Sequence, residues 1–415
     1  MHKSLASALL FLLVIASAAG AQSSAKTAPS LPKVRTVTAF VRLDRANYRT
    51  QVADALKMLR AAKDALSKAG YEVETIRITT QPFPQYTTGL TPEQTLQFFH
   101  DYDKLAKQEG FTPDIGPAMS KDSDDPRQAD LLARILAETE NINGFIVVAA
   151  EDGIHWNSVR AAARVIKYLE DHTAHSEGNF HFAAGAFPPL VAPFFPVSHT
   201  ADGGHEFAIG LESANIVQQV FANTKGDNLA KAGEQLTQAL GAQAKRVEAI
   251  ARSVAASTGW KYQGIDLTPV PLKEISIGGA LESLVHGEIG SPGSLSAAYT
   301  ITTAVKRVPV QQVGYSGLML PVLEDSVLAK RWEAGAITRD SLMSYSSVCS
   351  TGLDAIPLPG EISVEELASI IGDMASLAVK WHKPLSARLL PVKGKKAGEM
   401  TEFSSPYLVN VHIHW

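Results

Sequence analysis

Apolar and polar positions alternate from Val34 to Leu43, with Val37, Ala39, Val41 and Leu43 on one face and Thr36, Thr38 and Phe40 on the other. That period of two predicts a largely buried strand. Asp44 follows as an N-cap, and Val52, Leu56, Leu59, Ala62 and Leu66 then recur at helical spacing until Gly70 supplies a left-handed stop. Tyr71 to Thr79 reads as a second strand, and a crossover of this length favours parallel pairing. The same reasoning predicts helices over 126–140, 158–170, 228–258, 326–333 and 363–380, with Gly241 as the place where the long third one bends or splits. Strands are predicted over 144–150, 180–186, 206–211, 317–323, 355–358, 385–392 and 408–413. Buried strands interleaved with helices, without a clean linker or short repeat, point to one large barrel or doubly wound sheet.

The chain has 415 residues, and at ~150 residues per domain it has room for two or three domains. Barrels grow larger as single units, so one domain over 33–415 is preferred. Hydrophobic residues make up 45% and charged residues 19%, which excludes a disordered chain. A net charge of −4 supplies no basic field, so nucleic acid is not an expected partner.

Met1, His2 and Lys3 precede an apolar run from Leu5 to Ala19 that ends in Ala19-Gly20-Ala21, the small-x-small pattern of an export signal. Cleavage is expected after Ala21. The run is shorter than the roughly 20 residues that span a bilayer, so the mature protein is expected to be secreted or periplasmic, without a stable membrane anchor. A retained N-terminal anchor is the alternative. Residues 22–32 read as a flexible tether. Cys349 is the only cysteine, which excludes an intramolecular disulfide; a buried, inert thiol is expected.

Charge collects where the predicted strands end, the edge at which α/β proteins place their sites. Ala150 is followed by Glu151, Asp152 and His155; Leu211 by Glu212; Leu323 by Glu324 and Asp325; Val392 by Lys393, Lys395 and Lys396. If these strands run parallel, acids and ammonium groups gather around one cleft and support general acid/base chemistry. Solvated loop charges and helix N-caps explain the same residues. Ser291-Pro292-Gly293-Ser294 precedes an Ala-rich helix, so the backbone near Ser291 and Gly293 could cradle an anion, with a plain turn as the alternative. Lys395 and Lys396 lie between Gly394 and Gly398 and could bring two cations to that anion; a solvated basic turn is the plainer reading. His199, Asp202 and His205 fall at three-residue intervals compatible with a divalent metal, although histidines of a Gly-rich surface loop are commoner than ligands. Asn410, His412 and His414 would share one face of the last strand. GxSxG, HExxH and GxGxxG are all absent.

From Ser276 onward the segments SIGGALESL (276–284), GSPGSL (290–295), GYSGLMLPVLED (314–325), SSVCSTGLDAIPLPG (346–360) and KPLSARLLPVKGKKAGEMTEF (383–403) resemble the domain of unknown function numbered seven-eleven, a family described as pyruvate formate-lyase-like. VRTVTAFVRL, VETIRITTQPFP and FAIGLESAN are similar too. The resemblance covers nearly the whole mature chain and implies a single ten-stranded α/β barrel, like that of glycyl-radical enzymes, made of two parallel half-sheets. It brings no agreed reaction, cofactor or catalytic residue. Radical chemistry needs a cysteine inside the barrel, a place Cys349 could take, and a C-terminal glycine loop. The chain has only the fragment Val313-Gly314-Tyr315, so that chemistry is not expected.

Two functions follow. One is an enzyme of hydrolase or lyase type acting on a small anionic metabolite, with Asp266, Glu212, Asp325 and Asp354 as acid/base or metal-binding groups and Arg77, Lys395, Lys396 and the 290–294 loop holding the anion. Arg77 stands between Ile76 and Ile78 in an otherwise apolar strand, where it needs a carboxylate or a ligand. An internal Arg to Asp pair that only closes the barrel is the structural alternative. The other function is a binding protein that captures a small molecule without chemistry. Neither excludes a homo-oligomer.

Overall fold

The computed structural model describes residues 31–200, 203–224 and 228–415. The expected export signal, most of the expected tether and Asp202 lie outside the described residues. In chain order the elements are β1 (Lys33–Val41), α1 (Tyr48–Lys68), β2 (Val73–Thr80), α2 (Phe83–Thr87), α3 (Pro92–Glu109), β3 (Thr112–Pro117), α4 (Arg127–Glu138), β4 (Asn143–Ala150), β5 (Gly153–Ile154), α5 (Trp156–His172), β6 (Phe182–Ala186), β7 (Glu206–Glu212), α6 (Ala214–Asn223), α7 (Leu229–Thr258), β8 (Lys261–Asp266), α8 (Ile277–Val285), α9 (Ser294–Lys306), α10 (Ser326–Glu333), α11 (Arg339–Ser346), β9 (Gly352–Pro359), α12 (Val364–Trp381) and β10 (Leu385–Val392).

Local chemistry explains the boundaries. Thr91 and Gln94 close a capping box on α3, which ends at a left-handed Gly110; Ser363 and Glu366 do the same for α12. Asn47, not Asp44, occupies the N-cap of α1, because Asp44 turns its carboxylate onto the Ala46 N–H and the Asn47 side chain. Helix α7 runs unbroken through Gly241, which is buried against Val308 and Pro309.

The strands form one sheet in the order β8-β7-β1-β2-β3-β4-β6-β10-β9, with β5 beside β4. Neighbours within β1, β2, β3, β4 and β6 are parallel, as are β7 with β8 and β9 with β10, while the joints β1/β7 and β6/β10 are antiparallel. Two parallel sets therefore run in opposite directions. The carboxyl end of β4, with Glu151 and Asp152, lies opposite to the ends of β7 and β10, with Glu212 and Lys393. The strand-end charges thus do not gather around one cleft, because the condition that all these strands run parallel is not met.

Closure into ten ladders is also absent among the described residues. The path ends at β8 and β9, and the chain between them makes single bridges, Gln312 with Ile265 and Pro321 with Asp354. The apolar run 317–323 predicts a strand, but Gly314, Gly317 and Pro321 disfavour a regular ladder. Residues 408–413 likewise make one bridge, Met400 with His412. The architecture is a mixed α/β fold around a large curled sheet, with one hydrophobic cluster reaching from Val34 to Ile413.

Candidate functional site

Three arginines reach the concave face of the sheet. Arg35 falls at the register shift between Val34 and Thr36, and Arg388 at the shift between Ala387 and Leu389. Arg35 is the extra residue of β1 opposite β7, and such a bulge re-aims the side chain it frees from regular pairing. At the second shift the extra residue lies in β9, between Leu353 and Ile356, and Arg388 shares its inward face with Ser386 by alternation. Arg77 gets there by alternation: Thr75 and Arg77 line the cavity while Ile76 and Ile78 join the hydrophobic core.

The cavity has a volume of about 250 Å³ and is lined by Arg35, Arg77, Arg388, Glu324, His181 and Tyr407, among others. Residues of β2 and β10 are far apart in the strand order, so their meeting here reflects the curl of the sheet. Loops complete the walls. The Thr38 hydroxyl donates to the Pro193 carbonyl at 2.8 Å, holding the Pro-rich segment that carries Phe194 and Phe195. Glu177 accepts from the Ser404 and Ser405 N–H groups and anchors the C-terminal stretch that brings in Tyr407.

Each arginine lies against an aromatic ring: Arg35 on Tyr407 at 5.3 Å, Arg77 on Phe195 at 4.9 Å and Arg388 on Phe180 at 4.6 Å. Their charge partners differ. Arg388 Nε donates to Asp354 Oδ1 at 2.7 Å and Nη2 donates to Glu324. Burial opposes its charge, yet Asp354 and Glu324 outweigh burial and raise its pKa. Arg35 Nη1 lies 2.6 Å from Glu74 and 3.7 Å from Glu212. Arg77 Nε donates to Thr75 Oγ1 at 3.1 Å, and among the described residues no carboxylate pairs with it. Burial, aided by Arg35, pushes its pKa down to about 9, so the guanidinium remains charged at neutral pH.

The acids are perturbed as well. Burial raises Glu324 despite Arg388. Burial, reinforced by Glu74, pushes Glu212 up to about 7, and its Oε2 is buried without a hydrogen-bond partner. Burial also acts on Glu74, but Arg35 outweighs it and lowers that group. One proton is thus easier to keep on Glu212 than on Glu74. His181 is pushed down to about 4 by burial and by Arg388, which leaves it neutral.

The residues singled out from sequence separate into two groups. Arg77 lines the cavity, while Asp354 and Glu212 stand behind Arg388 and Arg35. Asp266 and Asp325 are absent from the lining and are engaged elsewhere. Asp325 accepts from the Ser276 hydroxyl and from the N–H groups of Ile277, Gly278, Val327 and Leu328, tying the starts of α8 and α10 together. Asp266 accepts from Thr268, Tyr315 and Ser316, and an added Cβ at Gly314, where φ is +64°, would lie 2.1 Å from its Oδ2.

Ser291 closes a turn onto Glu288, and Gly293 precedes α9; neither lines the cavity. Lys395 pairs with Glu402 at 2.8 Å and Lys396 is exposed, both away from the cavity lining. His199 packs on Phe145 at 5.6 Å, whereas the exposed His205 stacks on Trp260 and pairs with Asp54. Among the described residues no group of three His, Cys, Asp or Glu could hold a metal ion. Asn410 folds onto Thr401 and Phe403, and His412 onto Glu333, in place of a shared strand face. Cys349 is buried in the turn before β9 and does not line the cavity.

Sequence reasoning missed Arg35, Arg388, His181 and Tyr407 and treated Glu324 only as a strand-end acid. The logic applied to Arg77, an arginine inside an apolar strand, would have found the first two. Tyr407 and His181 carry no such signal.

Residues 29–404 match the family model described as Uncharacterised ACR (DUF711). The chain belongs to the DUF711 family. It is 30% identical over 367 residues to a UPF0210 protein of Pyrobaculum aerophilum, covering 85% of this chain and 81% of that relative. A UPF0210 protein of Methanocaldococcus jannaschii is 25% identical over 377 residues, covering 86% and 82%. Among solved structures, the anaerobic ribonucleotide reductase of Thermotoga maritima in complex with dATP and CTP aligns at 9% identity with a TM-score of 0.39, covering 92% of this chain and 81% of that one.

Proposed function

We propose that this DUF711 protein binds a small anionic metabolite in the cavity at Arg77 and acts on it by proton transfer, in a reaction of hydrolase or lyase type. The observation that carries the reading is Arg77 itself, a cavity-lining guanidinium with no carboxylate partner among the described residues. An uncompensated charge inside a protein is costly, and an anionic ligand removes that cost. Glu324 is the group suited to move a proton, since it lines the same cavity and burial raises its affinity for one. A second reading, capture without chemistry, is favoured by the engagement of both Glu324 and Asp354 with Arg388.

Incubation with a library of small organic acids, followed by mass spectrometry, separates the two. The enzyme reading expects one acid to be consumed by the wild type, and to be bound but not consumed by Glu324→Gln. Binding without consumption by either protein would leave only the capture reading. We further propose, on the pattern Leu5 to Ala21, that the chain is exported and trimmed after Ala21, and N-terminal sequencing of the mature protein tests this. The single bridges made by Gln312 and Pro321 support a barrel closed through the segment between β8 and β9.

A further inference from the structure

Building on that reading of the cavity, we propose that the ligand is a monocarboxylic acid with an apolar or aromatic body, rather than a phosphate ester or a dicarboxylate. Charge compensation supplies the first argument. Arg35 already faces Glu74 and Glu212, and Arg388 faces Glu324 and Asp354, so Arg77 alone of the three has no carboxylate among the described residues. His181 adds no second cation, because it is buried beside Arg388 and neutral at pH 7. Glu324 and Glu74 act on Arg77 only through space, without an ion pair, and a single guanidinium lacking a paired acid matches a single negative charge. A phosphate monoester carries about −1.5 to −2 at neutral pH, and its surplus would be desolvated without a cation to meet it.

Geometry supplies the second argument. Thr75 engages Arg77 Nε, and the Phe195 ring 4.9 Å away supports the guanidinium from one side. The two Nη groups remain as a fork with no protein acceptor among the described residues, and the two oxygens of a carboxylate match such a fork. The rest of the wall supplies the third. Phe180, Phe194, Phe195, Val270 and Met319 offer an apolar surface for a body, whereas the polar lining is largely engaged. Asn143 Nδ2 donates to the Pro113 and Asn141 carbonyls, and its Oδ1 lies 3.3 Å from His181 Nδ1.

Isothermal titration of the full chain with phenylacetate, phenyl phosphate and succinate tests this, on wild type, Arg77→Met and Arg77→Lys. Phenylacetate and phenyl phosphate share a ring and differ in the charge of the head. Phenylacetate is expected to bind saturably and at least about tenfold more tightly than the other two, a difference near 1.4 kcal/mol. Arg77→Met is expected to abolish its binding, and Arg77→Lys to retain part of it. Phenyl phosphate or succinate binding as tightly as phenylacetate, and through Arg77, would overturn the proposed class while leaving an anion site. No binding of any of the three, or binding that Arg77→Met leaves unchanged, would overturn both the class and the site. Melting of each variant, followed by circular dichroism, establishes that it is folded.

Discussion

The Arg77 guanidinium carbon lies 4.9 Å from the centre of the Phe195 ring, and its Nε is held by Thr75 rather than by a carboxylate. Arg388, across the same cavity, is bound by both Glu324 and Asp354. Two arginines in one cavity therefore have opposite relations to stability, and substitution separates them.

Arg77→Met removes a poorly compensated charge and adds an apolar side chain beside Phe195. The melting temperature is expected to stay level or rise, while anion binding is lost. A marked fall in thermal stability would mean that Arg77 has a structural partner after all.

Arg388→Met leaves Glu324 and Asp354 buried without their cation. Removing one partner of a buried ion pair costs about 3–5 kcal/mol, so chemical denaturation should show a loss of that order. Adding Glu324→Gln and Asp354→Asn to the same chain should restore much of it. A loss confined to a few tenths of a kcal/mol would show that the pairing contributes little.

Asp325→Ala should cost about 2–4 kcal/mol, because one fully buried carboxylate satisfies the N–H groups that two helix starts leave without an intrahelical acceptor. Anion affinity should be unchanged in the surviving folded protein. Titration at a temperature where the variant is folded checks this; a large loss of affinity would make Asp325 part of the site.

How far the sequence carries the reader depends on the physics behind each signal. The β1-α1-β2 unit was legible, because Val37, Ala39 and Val41 alternate and Val52, Leu56 and Leu59 follow helical spacing. Strand β3 was not: Thr112–Pro117 contains a buried Asp114, two prolines and a Gly at φ +70°, all contrary to strand preference. Asp325 and Glu324 are neighbours in sequence, and no periodicity separates a helix cap from a cavity acid. Strand direction decides which end-of-strand charges meet, and the β1/β7 and β6/β10 antiparallel joints are long-range pairings that local pattern does not encode. Arg77 was legible for the opposite reason. A guanidinium alternating with two isoleucines faces the other side of the strand, and in a sheet buried on both faces that side needs an acid or a ligand, which can be read from the sequence alone.

Glu212 predicts a pH signature. Its pKa rises from an ordinary 4.5 to about 7 in the fold, through burial and then Glu74, so the folded chain binds more protons than the unfolded one between those values. Its contribution to stability therefore falls as pH rises from about 4.5 to 7 and is level above that. Glu212→Gln escapes this loss. Relative to wild type, the variant's melting temperature should improve from pH 5 to pH 8; a difference independent of pH would show that Glu212 ionises normally.

The proposed function requires an anion site centred on Arg77. Anomalous diffraction from crystals grown in sodium iodide tests it most directly, because iodide is a single negative charge with little other chemistry. An anomalous peak inside the cavity against the Arg77 Nη groups, absent from crystals of Arg77→Met, is the predicted result. Iodide found only on surface residues, or retained in the cavity of the variant, would contradict it.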